Sequence, residues 1–543
     1  MKDVLLLSGL GPMFGLAAGD LVGTRFDQRI SQEDLNRYYA LDGELYDPME
    51  LEVELDNGFQ RLLRTNIENK PRALVTDVLE NILRKNGIDF TSLSLSEVWS
   101  GGAMPPAAKK SVSIVCLSTT FMWSTLMLDT AINWIKERYT FKYLVLGGKY
   151  AALKKDRILR DYSVVDYIIT GDGEETMPAL IHYLQTGIGE PETIPNLAFY
   201  AGERLVLTQI KEIDISAFSP PRFSPNSEVI MYESVRGCVF HCKFCAWSTG
   251  CEQFRYKSAS QIYNEWKEYT TQCHVQEIQV IDSNFFIPAK RMKELLPQLP
   301  DLHVRWKANA RTDIPINEGY VDQLERSGCV SLKFGFESMS DKILGYINKK
   351  STAANNRRVN RFFSRSSIDT ISSFIVGFPG ETPEDFAETA EYLIHEHYGH
   401  FHLYVFELED ECMPIWEDRE KFRIQLLDSN DQEDDLWTHG GSRWSHCGMD
   451  SATAEELKRK ILRRVRLSDS KAVHRTWQGR FAYPLIKEKD RAWNLSVERS
   501  IDRLVYLPVD YAVGSEAYKD ALKDCVASLR ELGVCIRHDN NET

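Results

Sequence analysis

Long apolar runs are missing from this 543-residue chain. No uncharged apolar segment approaches the roughly 18 residues that a helix needs to cross a bilayer. The apolar run at residues 3–8 lacks the length and the cleavage pattern of a signal peptide, so we interpret it as a buried strand. We therefore expect a cytoplasmic protein with no membrane partner.

An excess of positive charge is missing as well. The 65 Lys and Arg residues stand against 79 Asp and Glu residues, which gives a formal net charge of −14. Proteins that bind the phosphate backbone carry basic surfaces, so we expect no nucleic-acid partner. Hydrophobic residues make up 43% of the chain and charged residues 27%, which excludes a mainly disordered or fibrous protein.

Cysteine is too sparse for a disulfide scaffold, with 11 residues in the whole chain. In a protein without an export signal the thiols are expected to be reduced, so clustered cysteines indicate metal binding or catalysis. The chain is longer than a domain with a single hydrophobic core usually is, so we expect two to four domains.

Residues 1–205 alternate apolar, strand-like runs with segments of helical period. The strands are predicted at 3–8, 111–118, 143–148 and 166–171, and the helices near 72–86, at 122–138 and at 174–186. This alternation predicts an α/β, Rossmann-like domain with a parallel sheet that binds ligands at the carboxyl ends of its strands. An acidic insertion at about residues 20–70 is interpreted as a lid, a partner-docking element or a surface elaboration.

Residues 206–228 contain three prolines and little periodicity, and they are predicted to be a linker. Strand–helix units then recur through residues 229–450 and predict a partial or full parallel barrel. Its strands are predicted at 229–234, 277–282, 304–309, 331–336, 371–376 and 401–406. The remaining residues, 451–543, predict a small helical or winged-helix-like region, with an amphipathic helix at 453–466 and a strand at 502–507 followed by a helix.

The strongest chemical signal is Cys238, Cys242 and Cys245, spaced C-x3-C-x2-C after the first barrel strand. Three thiolates can hold three irons of a 4Fe–4S cluster and leave the fourth iron open. A closed zinc site would need a fourth ligand, for which Cys251 is available, so that alternative remains open.

This run resembles the signature of the radical S-adenosylmethionine (radical SAM) enzymes. The resemblance implies that the three cysteines bind a 4Fe–4S cluster and that S-adenosylmethionine (SAM) chelates the open iron. Reductive cleavage of SAM then yields a radical that abstracts a substrate hydrogen, with electrons from an external donor. The family pattern implies further SAM contacts at strand ends. These residues are Phe244, Asp282, Ser283, Asn284, Arg311, Glu337 and Gly377.

The first domain resembles the cobalamin-binding domain that is fused to many radical SAM enzymes. The matching strand ends carry Ser118, Thr119, Thr120, Gly147, Gly148, Gly171 and Gly173. Glycines there would let the backbone approach a large flat ligand. The D-x-H-x-x-G motif that provides a lower axial histidine is absent, which leaves both cobalamin binding and a cofactor-free domain open.

A second segment, Trp444-Ser445-His446-Cys447-Gly448-Met449, resembles the W-x-H-x-x-M motif of related peptide-modifying enzymes. A thiol near the barrel mouth could return a hydrogen atom to a substrate radical. We therefore single out Cys447 as a catalytic candidate, with Cys412 as its rival and a packed, inert cysteine as the alternative. Cys329 lies at the wrong end of its strand and is assigned to the core.

These resemblances leave three functional hypotheses. The first is a proteusin-type epimerase that converts L-residues to D-residues in a ribosomally made (RiPP) precursor peptide, with Cys447 as hydrogen donor. Its peptide would dock a leader on the acidic insertion or on the C-terminal region. The alternative is a cobalamin-dependent radical SAM C-methyltransferase, and the third is a non-catalytic iron–sulfur protein.

Overall fold

The structure is a computed structural model of the chain. It describes residues 3–9, 39–41, 44–46, 51–55, 72–99, 108–122, 125–218, 220–225, 227–245, 253–408, 413–427, 443–474, 491–512, 515–532 and 534–538. Cys251 and Cys412 lie outside the described residues, and so does most of the acidic insertion predicted at about 20–70.

The elements of the N-terminal domain alternate between strands and helices, as predicted. The strands are β1 (Val4–Ser8), β2 (Tyr39–Leu41), β3 (Glu44–Tyr46), β4 (Leu51–Leu55), β5 (Phe90–Ser94), β6 (Lys110–Ser111), β7 (Ile114–Ser118), β8 (Tyr139–Thr140), β9 (Tyr143–Gly147), β10 (Tyr167–Ile169), β11 (Leu197–Ala201) and β12 (Arg204–Leu207). The helices are α1 (Leu74–Lys85), α2 (Ser96–Trp99), α3 (Thr125–Arg138), α4 (Lys149–Leu153), α5 (Lys155–Asp161) and α6 (Gly173–Thr186), with a 3-10 turn at Pro191–Thr193.

Seven of these strands form one sheet in the order β12-β11-β10-β9-β7-β1-β5. The five strands from β5 to β10 are parallel, and the β11–β12 hairpin closes one edge in antiparallel pairing. Two apolar clusters lie on opposite faces of the sheet, because β1, β7 and β9 are apolar on both sides. The predicted Rossmann-like domain is confirmed. Strand β5 was not predicted, since the sequence FTSLS of this edge strand mixes polar and apolar residues.

The second domain is built from longer strand–helix units. Its strands are β13 (Val229–Tyr232), β14 (Val235–Arg236), β15 (Arg255–Tyr256), β16 (Glu277–Val280), β17 (Arg305–Arg311), β18 (Cys329–Glu337), β19 (Asp369–Val376), β20 (Tyr398–Val405), β21 (Gln425–Leu426), β22 (Trp444–Ser445) and β23 (Lys471–His474). Its helices are α7 (Ala259–Gln272), α8 (Ala289–Leu295), α9 (Glu318–Arg326), α10 (Asp341–Ile347), α11 (Ala353–Phe363), α12 (Pro383–His395), α13 (Arg419–Phe422) and α14 (Ser451–Leu467), with 3-10 turns at Leu299–Leu302 and Pro414–Asp418.

Seven strands of this domain run parallel in the order β13-β16-β17-β18-β19-β20-β23 and form a partial barrel. The six predicted strands are present. The sheet also extends past residue 450, where the barrel was predicted to end, because β23 pairs with β20 after α14. Strand β23 was not predicted, because its four residues, with a charged residue at one end, show no recognisable strand pattern.

The C-terminal region is helical, and the strand predicted at 502–507 is wrong. The chain there forms α15 (Arg491–Val505), α16 (Leu507–Asp510) and α17 (Glu516–Glu531), followed by β24 (Val534–His538). In α15, Arg491, Leu495 and Glu498 share one face that covers the starts of the barrel strands. Glu498 lies 2.7 Å from His400 Nε2 on β20, and this tertiary contact outweighs the short alternation that suggested a strand.

Strand β24 returns to the N-terminal insertion, where it pairs in antiparallel register with β4. Two segments that were expected to dock a partner therefore pair with each other. Within the described part of the chain, no helix has the length and apolar character that a membrane crossing requires.

Candidate functional site

The three cysteines of the C-x3-C-x2-C run lie on a loop that opens into a cavity of about 570 Å³. Gly237, which precedes the first cysteine, has a φ of +79°, and a Cβ there would meet Gln253 O at 2.6 Å. Only glycine therefore allows the chain to turn out of β14 into this loop. Cys238, Cys242 and Cys245 all line the cavity, so the structure brings the predicted thiols to one place.

The donor set fits an iron–sulfur cluster better than a single ion. Among the described residues, no three Cys, His, Asp or Glu side chains converge as ligands of one metal ion. In a 4Fe–4S cluster each thiolate binds a different iron, so the three sulfurs need only surround the cluster. A zinc site would require tetrahedral convergence on one centre, and Cys251, the fourth ligand considered for it, lies outside the described residues.

Arg311, the last residue of β17, carries a buried guanidinium beside the cysteine loop. Its Nη1 donates to Cys242 Sγ at 3.5 Å, and its Nε and Nη2 donate to the Asp313 carboxylate at 3.0 and 2.9 Å. The guanidinium also lies 3.6 Å from the centre of the Phe240 ring. A positive charge held at this point can bind a carboxylate or an electron-rich sulfur cluster.

Glu337, the last residue of β18, forms a buried ion pair with Lys349. The Lys349 Nζ–Glu337 Oε1 distance is 2.7 Å, and both side chains line the cavity. Lys349 also lies over the Phe244 ring, 5.7 Å from its centre, so this pair connects β18 to the cysteine loop. Glu337 has a φ of +61° at a register shift between β18 and β19, which turns its side chain toward the pocket.

The polar run after β16 divides into structural and cavity-facing residues. Asp282 accepts from Ser234 N at 2.7 Å and Val235 N at 3.1 Å and is not among the residues that line the cavity, so its SAM contact remains a prediction. Burial raises the pKa of Asp282 to about 6, although the Ser234 hydrogen bonds oppose that shift. Ser283 and Asn284 do line the cavity, and the buried Asn284 Nδ2 has no hydrogen-bond partner within the described structure.

Gly377 is not among the residues that line the cavity, and its contact with SAM remains a prediction. It has a φ of +85°, and a Cβ there would lie 2.5 Å from the Trp444 ring and 2.9 Å from Ala454. Glycine is required because the indole of Trp444 packs on this backbone. The Trp444 Nε1 in turn donates to Phe406 O at 2.8 Å, so β22 is fastened to the end of β20.

The imidazole of His446 explains the W-x-H-x-x-M segment as a structural clamp. Its Nδ1 accepts from Gly380 N at 3.3 Å, Gly448 N at 3.0 Å and Met449 N at 3.3 Å, and its Nε2 donates to Gly377 O at 3.1 Å. The ring stacks on Trp444 with centroids 5.1 Å apart. Burial lowers the pKa of His446, which favours the neutral tautomer that these bonds require.

Cys447 is exposed and is not among the residues that line the cavity. Its backbone N donates to Phe422 O at 2.8 Å, which fixes the loop with the thiol on the outside. The hydrogen-donor role predicted for Cys447 therefore lacks its geometric basis. Its rival, Cys412, falls outside the described residues. Cys329 is buried in the barrel core, as expected.

At the carboxyl edge of the N-terminal sheet, the loop after β7 packs against the loop after β9. The Thr119 hydroxyl donates to Gly147 O at 2.8 Å and accepts from Ala151 N at 3.0 Å. A Cβ on Gly148 would lie 2.6 Å from Thr120 N, and one on Gly171 would lie 2.9 Å from the Asn196 side chain. These contacts fix the packing of the loops. The predicted cobalamin contacts at the sheet edge remain a prediction for all seven residues, namely Ser118, Thr119, Thr120, Gly147, Gly148, Gly171 and Gly173.

The loop after β10 provides an ion-pair cluster between the two domains. Arg236, two residues before Cys238, lies 3.0 Å from Asp172 Oδ1 and 2.5 Å from Glu174 Oε1. Arg255 on β15 pairs with Asp172 as well, and Ile213 N donates to the same carboxylate at 2.9 Å. We call Asp172, Glu174, Arg236 and Arg255 the interdomain cluster.

Sequence reasoning missed several charged residues that the fold brings to the cavity. Lys349 follows a helix and carries no local signal. Lys333 was recognisable in principle, because Lys333, Gly335 and Glu337 alternate along a predicted strand and so share its inner face. Other lining residues that were missed include Ser373, Tyr404, Glu407, Glu455 and Lys458.

The comparisons with known proteins agree with this geometry. Residues 232–393 match the family model described as the radical SAM superfamily. The chain is 25% identical over 264 residues to an uncharacterized methyltransferase of Pyrococcus horikoshii, which covers 46% of this chain and 57% of that protein. It is 27% identical over 265 residues to an anaerobic magnesium-protoporphyrin IX monomethyl ester cyclase of Cereibacter sphaeroides, which covers 45% of this chain and 43% of that protein. The chain thus spans about half the length of these curated relatives.

Two solved structures share the fold over most of the chain. One is the radical SAM methyltransferase TsrM of Kitasatospora setae with cobalamin and a 4Fe–4S cluster, at 15% identity and a TM-score of 0.55, over 79% of this chain and 81% of that chain. The other is the cobalamin-dependent SAM radical enzyme OxsB with aqua-cobalamin and SAM, at 14% identity and a TM-score of 0.56, over 98% of this chain and 76% of that chain. At these identities the likeness shows the fold alone.

Proposed function

We propose, taking the barrel as a radical SAM domain, that this chain is a cobalamin-dependent radical SAM methyltransferase. The observation that carries the proposal is the set of three thiols on one loop, open to a cavity at the carboxyl ends of the barrel strands. The shared fold of both domains with cobalamin-dependent radical SAM proteins supports the methyl-transfer part.

The cysteines would hold three irons and leave the fourth iron facing the cavity for SAM. Arg311 and the unpartnered Asn284 Nδ2 lie where they can bind the carboxylate and other acceptor groups of SAM. The Glu337–Lys349 pair offers an acceptor and a donor at the next strand end. Phe240 and Phe244 lie between the cysteines of the loop and line the cavity, where they would exclude water from the reacting centre.

The bound groups would carry the chemistry, and the protein would position them. A reduced cluster with SAM supplies one-electron cleavage of the sulfonium, and cobalamin carries a methyl group. The N-terminal sheet would place cobalamin at its carboxyl edge. The interdomain cluster joins the loop after β10 to the start of the cysteine loop, so the domain that would hold cobalamin is fastened to the cluster-binding loop.

Methyl transfer is preferred to the epimerase hypothesis because epimerisation needs a hydrogen donor inside the cavity. Cys447, the first of the two donors assigned from the sequence, is exposed outside the cavity, and its rival Cys412 lies outside the described residues. Methyl transfer needs no protein thiol at the substrate carbon. An external electron donor and a precursor-peptide substrate remain predictions.

The test is reconstitution of the protein with iron, sulfide and hydroxocobalamin under anaerobic conditions. We expect a corrin absorbance distinct from that of the cluster, and transfer of a deuterated methyl group from labelled SAM to a product. Cys242→Ala should abolish the transfer. Protein without bound corrin that incorporates solvent deuterium into a peptide, with no added methyl group, would contradict the proposal and restore the epimerase hypothesis.

A further inference from the structure

One wall of the cavity carries charged side chains. Three barrel strands and one helix contribute to this wall. We call it the charged wall, and its residues are Lys333, Ser373, Tyr404, Glu407, Glu455 and Lys458. They belong to β18, β19, the end of β20, and α14. The interior of a parallel barrel is ordinarily packed with branched apolar side chains, so this composition makes the cavity suited to a polar ligand.

The strand register brings the first three of these residues into the same lumen. Gly335 pairs with Ser373 on the next strand, and Ile375 pairs with Tyr404 on the strand after that. Lys333 Nζ lies 5.8 Å from the centre of the Tyr404 ring, although β19 separates their strands. The ammonium of Lys333 and the Tyr404 ring therefore face each other across the wall.

Ser373 gives an independent sign of a ligand. The residue is 8% exposed, it lines the cavity, and its hydroxyl has no hydrogen-bond partner in the described structure. A buried hydroxyl without a hydrogen-bond partner is destabilising. A ligand group in the cavity would satisfy it. Lys458 is also 8% exposed and adds a buried cation close by.

SAM does not account for these charges. In the proposed function its amino and carboxylate groups bind the open iron and its adenosine part is neutral, so only the single positive charge of its sulfonium remains for the rest of the cavity. The charged wall offers two ammonium groups, from Lys333 and Lys458, and two carboxylates, from Glu407 and Glu455. Such a combination is complementary to a ligand that carries one charge of each sign.

We propose that the charged wall binds the ammonium and carboxylate groups of a free α-amino acid, which is the substrate if the proposed function holds. The lysines and the Ser373 hydroxyl bind the carboxylate, and the two glutamates bind the ammonium group. An internal residue of a peptide has neither charge, so it would make none of these charge-assisted contacts.

The first experiment measures binding by anaerobic titration calorimetry on the cluster-reconstituted protein with SAM present. The probes are the proteinogenic L-amino acids, and then the N-acetyl and the amide derivatives of the best ligand. We expect at least one free amino acid to bind, and each derivative to bind about tenfold or more weakly, because each loses a charge-assisted contact. Absence of binding across the panel, or equal binding of the derivatives, would overturn the inference.

The second experiment uses variants on α14. Lys458→Met and Glu455→Gln should each weaken the amino acid about tenfold or more. The matched controls, Lys460→Met and Glu456→Gln, lie on the same helix and pair with each other at 3.5 Å at the surface, so they should leave binding unchanged. Iron content and melting temperature establish that each variant is folded. Unchanged affinity in both cavity variants would contradict the inference.

These outcomes separate the inference from the proposed function. An amino acid that binds through the charged wall without gaining a methyl group would support the inference and contradict the methyltransferase. Methylation of an end-blocked peptide, with no binding of any free amino acid, would support the methyltransferase and overturn the inference.

Discussion

The three cysteines of the cavity loop follow directly from their spacing, and they give the first prediction. Cys238→Ala, Cys242→Ala or Cys245→Ala should each lose the brown absorbance of the reconstituted protein and all cleavage of SAM, because two thiolates hold a site-differentiated cluster poorly. Iron analysis and SAM turnover measure this. Cys447→Ala is the control and should behave as wild type, since its thiol is exposed outside the cavity. Wild-type iron content in the three loop variants would refute the assignment.

We expect His446 to contribute to the stability of the fold rather than to catalysis. His446→Ala removes the acceptor of three backbone amides and leaves them buried, so we expect a loss of about 2 kcal/mol or more in the free energy of unfolding. The control is His395→Ala, whose side chain is 64% exposed and should change stability by about 0.5 kcal/mol or less. Urea unfolding followed by fluorescence provides the measurement, and equal stability of the two variants would show that the clamp is dispensable.

Glu381 makes stability depend on pH. The residue is fully buried and accepts from Gly377 N at 2.6 Å, and burial raises the pKa of its carboxyl to about 8. The folded state therefore binds this proton more tightly than the unfolded state does. The contribution of Glu381 to stability is complete below its unfolded pKa near 4.5 and is lost as the pH rises toward 8.

Glu381→Gln tests this pH dependence, because an amide does not ionise in this range. We expect the difference in unfolding free energy between wild type and variant to change steadily between pH 5 and pH 8. The wild type should become less stable relative to the variant as the pH rises. Parallel stability curves for the two proteins over that range would contradict the raised pKa.

At the scale of elements, the interdomain cluster is the feature with the clearest consequence. Asp172 and Arg236 are mostly buried, with side chains 13% and 19% exposed, so Asp172→Asn should cost about 3 kcal/mol at the interface. We expect faster proteolysis in the 208–228 segment, at unchanged iron content.

The matched control for Asp172→Asn is Lys211→Met. Its ion pair with Glu175 joins side chains that are 57% and 46% exposed, and surface pairs of that kind contribute about 1 kcal/mol or less. Equal protease sensitivity of Asp172→Asn and Lys211→Met would mean that the cluster does not hold the domains together.

At the scale of the whole molecule, the last described strand, β24, pairs with β4 of the N-terminal insertion. Removal of residues 533–543 takes away β24 and leaves the backbone groups of β4 without their partner. We expect faster hydrogen exchange at Leu51–Leu55, and we expect cluster binding to persist, because the cysteine loop lies elsewhere. Mass spectrometry of deuterated peptides measures this. A longer deletion that reaches α15 would also remove Glu498 from His400 and uncover the barrel.

The sequence by itself determined the features that depend on neighbouring residues. The alternation of apolar runs with helical segments predicted both parallel sheets, and the C-x3-C-x2-C spacing predicted the thiol loop. Strand β23 and helix α15 escaped prediction, since β23 is a strand only through its pairing with β20 and α15 is a helix that packs on the strand starts. Short local patterns do not carry such long-range contacts.

Only the tertiary structure decided which strand-end residues share the cavity. Gly377 and His446 have packing roles in the fold, because the Trp444 indole lies against both of them. The tertiary structure set Cys447 outside the cavity, paired Glu337 with Lys349, and gathered the charged wall from three strands and a helix. These residues lie far apart in the chain, and their distances follow from sheet order and register, which no local pattern encodes.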